Sequence, residues 1–415
     1  LIVALALTFG GLRRGAEPMS WMFQSPIQTP TQPPYPPPGT PTRPAIPTIP
    51  PTVTRAPKPS PSPIPTATPV LTPLPLPPSA FYALWVENFP EGQGSVLWLA
   101  DPRDIGSRRE VLRFERDAIA EAALSPDGRQ LALITTYWKT STLWVANVDG
   151  TGLRQLDQAG ALGGLFWSRN SRSLAYSIGW REEVMMPSEK TGTPSSVPVW
   201  RGTVELVDVA TGEKRRLLEI EPDTSLSVLG WSADGQELYY SLGIPQESGY
   251  EYEIWAVDRD RQNTRKIVSL GRETVSPILS PDGTKFLIGT SEGLAWISAD
   301  GRIQQVITQP DRSFTAIWAF EGRDLVVSQW EPDRSGMVVR AIDVYTRSGQ
   351  DIGLIKSVGD WRLLALSPDR RWLAAYHYYS GLHWIHLPSE MMVPVLSQDR
   401  GSIFFVAWTP RPTGR

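Results

Sequence analysis

The chain has 415 residues, with 40 Pro, 34 Gly, three His, no Cys and a formal net charge of −3. Without Cys there are no disulfides, thiolate metal sites or Cys nucleophiles, and a slightly acidic balance supplies no field for nucleic acid. Hydrophobic residues make up 41% of the chain, enough for a large core once the prolines are placed.

The chain opens on "LIVALALTFGG", 11 residues without a charge. That is shorter than the roughly 20 apolar residues needed to span a bilayer. Residues 1–25 read as the remnant of an export signal or membrane anchor that has lost its start, with Ala4-Leu5-Ala6 as a candidate cleavage site. Arg13 and Arg14 follow the apolar run, against the positive-inside tendency of a simple anchor. Export to the periplasm or cell surface, with attachment through this segment as an option, is the expectation.

From Pro26 to Pro78, 22 of 53 residues are Pro, interleaved with Thr and Ser. Proline fixes φ and removes the amide donor, so neither helix nor sheet propagates and polyproline II is expected. Residues 26–78 read as a disordered linker or O-glycosylated stalk, able to hold two bodies apart by up to roughly 160 Å.

Residues 79–410 carry a repeat, and 411–415 form a tail. One phrase returns as "LSPDGRQLAL" at Ser125, "WSRNSRSLAY" at Ser168, "WSADGQELYY" at Ser232 and "LSPDGTKFLI" at Ser280. Looser copies stand at Ala319 and Ser367, with a truncated one at Thr409, and the successive spacings are 43, 64, 48, 39, 48 and 42 residues. A period of 40 to 50 residues marks propeller blades or another repeat array. Pro suits the second position of a type I turn, Asp the third, and Gly the positive φ where the chain turns back, so Ser-Pro-Asp-Gly joins two antiparallel strands. A second phrase follows each copy, as in "LWVANVDG" at Leu143 and "EIWAVDRD" at Glu253, and adds two more strands to every unit.

Before the first full unit, "FYALWVE", "SVLWLADP" and "REVLRF" supply three strands without a leading one, and "SIFFVAWTP" supplies a leading strand at the end. Together they complete a blade and close the ring, which protects both terminal edges. The fold class is therefore all-β, a β-propeller of seven four-stranded blades. The 64-residue spacing and the eroded phrase at Ala319 leave six or eight open.

These repeats resemble the TolB-type, WD-repeat-like propellers of bacterial envelope proteins, over roughly residues 79–410. The resemblance implies the fold and a range of roles: protein docking, ligand binding, or the non-catalytic propeller of certain serine peptidases.

Chemistry finds little support. Asp127, Asp234, Asp282 and Asp369 occupy equivalent turns of different units and read as turn residues. No Gly-x-Ser-x-Gly elbow exists for a serine hydrolase. His383 and His386, three apart on a strand, point to opposite faces and cannot share a metal, and His377 reads with them as packing or surface. The Gly pairs at Gly10 and Gly163 match no phosphate or dinucleotide pattern. No cofactor and no catalysis are expected; the rival is a lyase or glycosidase using Glu182 with Glu183, or Glu251 with Glu253, and a third option is the regulatory ectodomain of a larger anchored protein.

What remains is a surface. In an up-and-down blade the Ser-Pro-Asp-Gly turns lie on one edge of the ring, so the loops between second and third strands share the other. Those loops carry Tyr137, Trp138, Trp180, Trp200, Tyr250, Tyr252, Trp330, Tyr378 and Tyr379, residue types that dominate binding hot spots. Residues 178–202 read as a long loop without secondary structure, bringing Arg181, Glu182, Glu183, Met185 and Met186 beside Trp180. The expected function is a monomeric binding platform for a protein, peptide or glycan.

Overall fold

The computed structural model describes residues 7–9, 81–90, 92–187, 194–247, 249–260, 263–271, 277–290, 293–307, 314–319, 322–331, 335–343, 349–355, 361–395 and 401–410. The Pro-rich segment 26–78 and the tail 411–415 lie outside them. No helix among the described residues is long and apolar enough to cross a membrane.

Seven antiparallel sheets form the blades of a β-propeller, six built on four consecutive strands and the seventh on strands from both ends of the ring. Blades 1 to 6 begin with the strands Ala118–Leu124, Ala161–Trp167, Ser225–Trp231, Ile278–Leu279, Phe314–Trp318 and Trp361–Leu366. These first strands pack on one another around the centre. Blade 7 joins the C-terminal strand Ser402–Pro410 to Phe81–Asn88, Ser95–Ala100 and Arg109–Phe114. Its seam runs from Phe81 opposite Pro410 to Asn88 opposite Ser402. A three-residue strand, Leu7–Phe9, pairs with the first strand of blade 5.

The blades stack because both faces of each sheet are apolar and strand alternation assigns one face to each neighbour. In blade 1, Leu131 and Leu133 pack against blade 7, while Ala132 and Ile134 pack against blade 2. Between blades 6 and 7 the core is aromatic: Trp384 touches Trp85, Phe405 and Trp408 with ring centroids 5.7 to 5.8 Å apart.

Tryptophans at the end of a first strand also staple neighbours. The indole N–H of Trp167 donates to Ala123 O, that of Trp318 to Ile278 O and that of Trp408 to Ala365 O, at 3.1 to 3.3 Å. Each preceding blade carries Leu at the equivalent position: Leu124, Leu279 and Leu366. Trp231 instead follows Trp167, and its buried Nε1 has no partner.

Candidate binding face

The repeated phrase closes on itself. Ser125 Oγ donates to Asp127 Oδ1 (2.5 Å) and accepts from Gln130 N–H (2.9 Å), while Arg129 N–H donates to the same carboxylate oxygen (3.1 Å). The Ser232, Ser280 and Ser367 turns repeat this pattern with Asp234, Asp282 and Asp369, and Asn170 takes the acid's place beside Ser168. The next residue turns back with positive φ, as Gly128, Gly235 and Gly283 do; Ser171 and Arg370 adopt it where Gly is lost. The Ser232 hydroxyl and Gln236 N–H hold Asp234 below the usual carboxylate range. These acids are turn residues, as the sequence indicates.

The same edge is tied together by Arg169, which stands where other copies have Pro, Ala or Phe. Its guanidinium donates to Ser232 O (3.1 Å), Trp231 O (3.4 Å) and Pro281 O (2.8 Å), bridging blades 2, 3 and 4. A Cβ at Gly283 would come within 2.2 Å of that guanidinium.

The opposite edge is open. At the tip of blade 1, Tyr137 pairs with Thr140, so Trp138 and Lys139 form a two-residue hairpin turn. Trp138 has φ +56° and is 86% exposed. It stands at the first central position, where such turns favour Gly. At the tip of blade 6, Tyr378 and Tyr379 are 72% and 85% exposed and stack edge to face at 5.0 Å. Tyr250 and Tyr252 lie on a strand of blade 3 with centroids 6.3 Å apart. Gly243 leaves room for the Tyr252 ring, whose carbon lies 2.9 Å from the position a Cβ would take. Among the described residues these pairs make no ring contact with one another, so the aromatics share an edge without forming one cluster. The Trp330 side chain lies outside the described residues.

Residues 178–187 and 194–202 do not form an irregular loop; 188–193 lie outside the described residues. The described stretches belong to a long hairpin, Ser173–Pro187 paired with Pro194–Asp208 in unbroken register, each strand 15 residues long. Second strands elsewhere have six to nine. Beyond Gly179 and Thr203 the hairpin leaves the neighbouring strands of its blade. Trp200 N–H donates to Asp223 Oδ1 (3.0 Å), so that amide points to the outer edge; alternation puts Pro194 and Pro198 at outward positions too. That edge lacks amide donors there, which blunts it against strand addition.

The hairpin separates the acids that paired catalysis requires. Glu182 meets Arg201 at 2.6 Å on one face, while Glu183 meets Arg181 (3.7 Å) and Ser196 (2.6 Å) on the other. Trp180 is half-buried, and Trp200 and Met185 are exposed; the Met186 side chain is outside the described residues. In blade 3, buried Glu253 is held by Lys266 (2.5 Å), Trp255 Nε1 (2.8 Å) and Ser269.

Three groups escaped sequence reading. Glu121, on the first strand of blade 1, accepts the N–H groups of Gly164 and Leu165, each at 3.0 Å. Gly164 has φ +62°, and successive amides around such a residue form a concave anion nest. The Gly163-Gly164 pair thus clasps a carboxylate of the chain itself. Burial outweighs those bonds and raises the Glu121 pKa.

The second group is a histidine pair. His383 and His386 face opposite ways, toward Trp361 and Trp372 respectively. But His377 and His383 meet across strands at Ser380, whose Oγ lies 2.8 Å from His377 Nδ1 and 3.5 Å from His383 Nε2. His383 Nδ1 donates to Gly381 O (2.9 Å), and burial lowers its pKa. The third is Arg362, on the first strand of blade 6. Among the described residues no three His, Asp or Glu gather to hold a metal ion.

No protein-family model and no curated protein matches the chain. Solved structures do. An oligogalacturonate lyase from Vibrio parahaemolyticus superposes with a TM-score of 0.53 at 11% identity, over 76% of this chain and 86% of that one. The β-propeller domain of the Trilobed protease from Pyrococcus furiosus gives 0.50 at 13%, over 77% and 99%. TolB from Acinetobacter baumannii gives 0.41 at 14%, over 79% and 82%. The Pyrococcus domain has an open velcro topology, whereas here the last strand pairs with the first strand of the ring. At these identities what is shared is the fold, and this chain is a seven-bladed β-propeller closed by its own C-terminal strand.

Proposed function

We propose that the chain is a non-catalytic, exported binding platform that takes a protein, peptide or glycan on its aromatic edge, with the Pro-rich segment as its stalk. The observation that carries this reading is Trp138. A bulky residue held at positive φ and left 86% exposed gains nothing from the core, and strain kept at a surface tip points to use there. Tyr378 and Tyr379 on blade 6 and Trp200 on blade 2 supply further exposed rings on the same edge. Such side chains bury large areas at low entropic cost when a partner covers them.

Peptide and glycan arrays probed with the full chain and with Trp138→Ser/Tyr378→Ser/Tyr379→Ser test the reading. Binding to members of one class, lost in the triple variant, is the expected result. Equal binding by both proteins would discard the aromatic edge.

A further inference from the structure

Blade 6 is short of hydrogen-bond acceptors. Six buried side-chain polar atoms among the described residues have no partner, and four belong to this blade: Trp361 Nε1, Arg362 Nε, His377 Nε2 and Trp384 Nε1. Natural proteins leave few such groups, and each calls for a cause. Here the two indole nitrogens and Arg362 Nε can only donate. The deficit is therefore one of acceptors.

Arg362 is the charged member. It is the second residue of its strand and pairs with Tyr376. Its neighbours Trp361 and Leu363 pack toward blade 5, so alternation turns Arg362 and Tyr376 toward blade 7, the side on which Trp384 also lies. The first strand starts at the aromatic edge, which places Arg362 near the mouth of the ring. The side chain is half-buried, and burial alone lowers its pKa, with no acid opposing it. Other partly buried arginines are matched: Arg103 by Asp101, Arg265 by Glu237 and Arg169 by three carbonyls.

A guanidinium stays charged at any accessible pH, and burying a charge without a partner is costly. We propose that Arg362, with Tyr376 beside it, binds an oxyanion at the mouth between blades 6 and 7: the carboxylate or phosphate group of a small ligand. Carboxylate and phosphate oxygens match the planar donor fork of Arg, and a metal cation would be repelled. The site stands whether or not the aromatic tips capture a macromolecule.

Thermal unfolding of the full chain, titrated with inorganic phosphate or acetate against chloride at matched ionic strength, tests it. A saturable rise of a few degrees is expected with at least one anion, absent in Arg362→Met. A rise with phosphate alone identifies a phosphate site, with acetate alone a carboxylate site, and with both a site that reads charge only. Arg362→Met without anion should melt no lower than the wild type, because it removes a half-buried charge that no acid matches among the described residues. No saturable shift with either anion, or a lower melting point for the unliganded variant, would overturn the assignment. The triple aromatic variant should retain the shift, which separates this site from the tips.

Discussion

The two edges of the ring spend similar residues differently. On the plain edge the serine hydroxyl and the acid of the repeated turn bond to each other and to the turn's own amides, and Arg169 joins three blades through backbone carbonyls. On the aromatic edge large apolar side chains stand in solvent, one of them on a backbone that would suit glycine. The first edge stabilises the fold, and the second leaves interaction energy unused. Substitutions should therefore separate cleanly by edge.

The largest effect should come from opening the ring itself. Deleting residues 402–415 strips blade 7 of its first strand and exposes the edge of Phe81–Asn88. It also removes the aromatic packing on Trp384. Loss of a cooperative thermal transition, with aggregation, is the expected outcome by calorimetry and light scattering. On the plain edge, Gly283→Ala drives a methyl into Arg169 at a position with φ +73°. It should cost about 3 kcal/mol in urea unfolding.

A smaller effect distinguishes the acids. Glu121 has a raised pKa, so the native state holds its proton to higher pH than the unfolded chain, and stability falls as pH climbs through that window. Asp234 is shifted down; its contribution is present above the unfolded carboxylate range and is lost as pH falls through the native value. Glu121→Gln should flatten the loss on the rising side, and Asp234→Asn the loss on the acid side, in urea midpoints measured across pH. The smallest effect belongs to the aromatic edge. Trp138→Gly should leave stability unchanged or raise it by up to about 1 kcal/mol, since Gly adopts positive φ without strain.

Legibility in the sequence followed the same division. Turns such as Ser125 to Gly128 are local, and their residues announce their backbone, so blade order and closure could be read directly. The part of the hairpin beyond Gly179 and Thr203 could not. With Arg181, Glu182, Glu183, Met185 and Trp200 exposed, it lacks the apolar alternation that marks a half-buried strand, and Pro194 and Pro198 look like breakers until their outward positions are known. Glu121 and Arg362 were invisible for another reason: Glu121 finds its nest some 43 residues away, and Arg362 is conspicuous only through the partner its Nε lacks among the described residues. The aromatics were found by composition, and their separation into pairs depends on which blade carries each.

The division between edges is tested most directly by measuring the melting temperature and the array binding of Trp138→Ser/Tyr378→Ser/Tyr379→Ser on the same preparation. The account predicts an unchanged melting temperature and lost binding. A marked fall in melting temperature, or binding equal to the wild type, would contradict it.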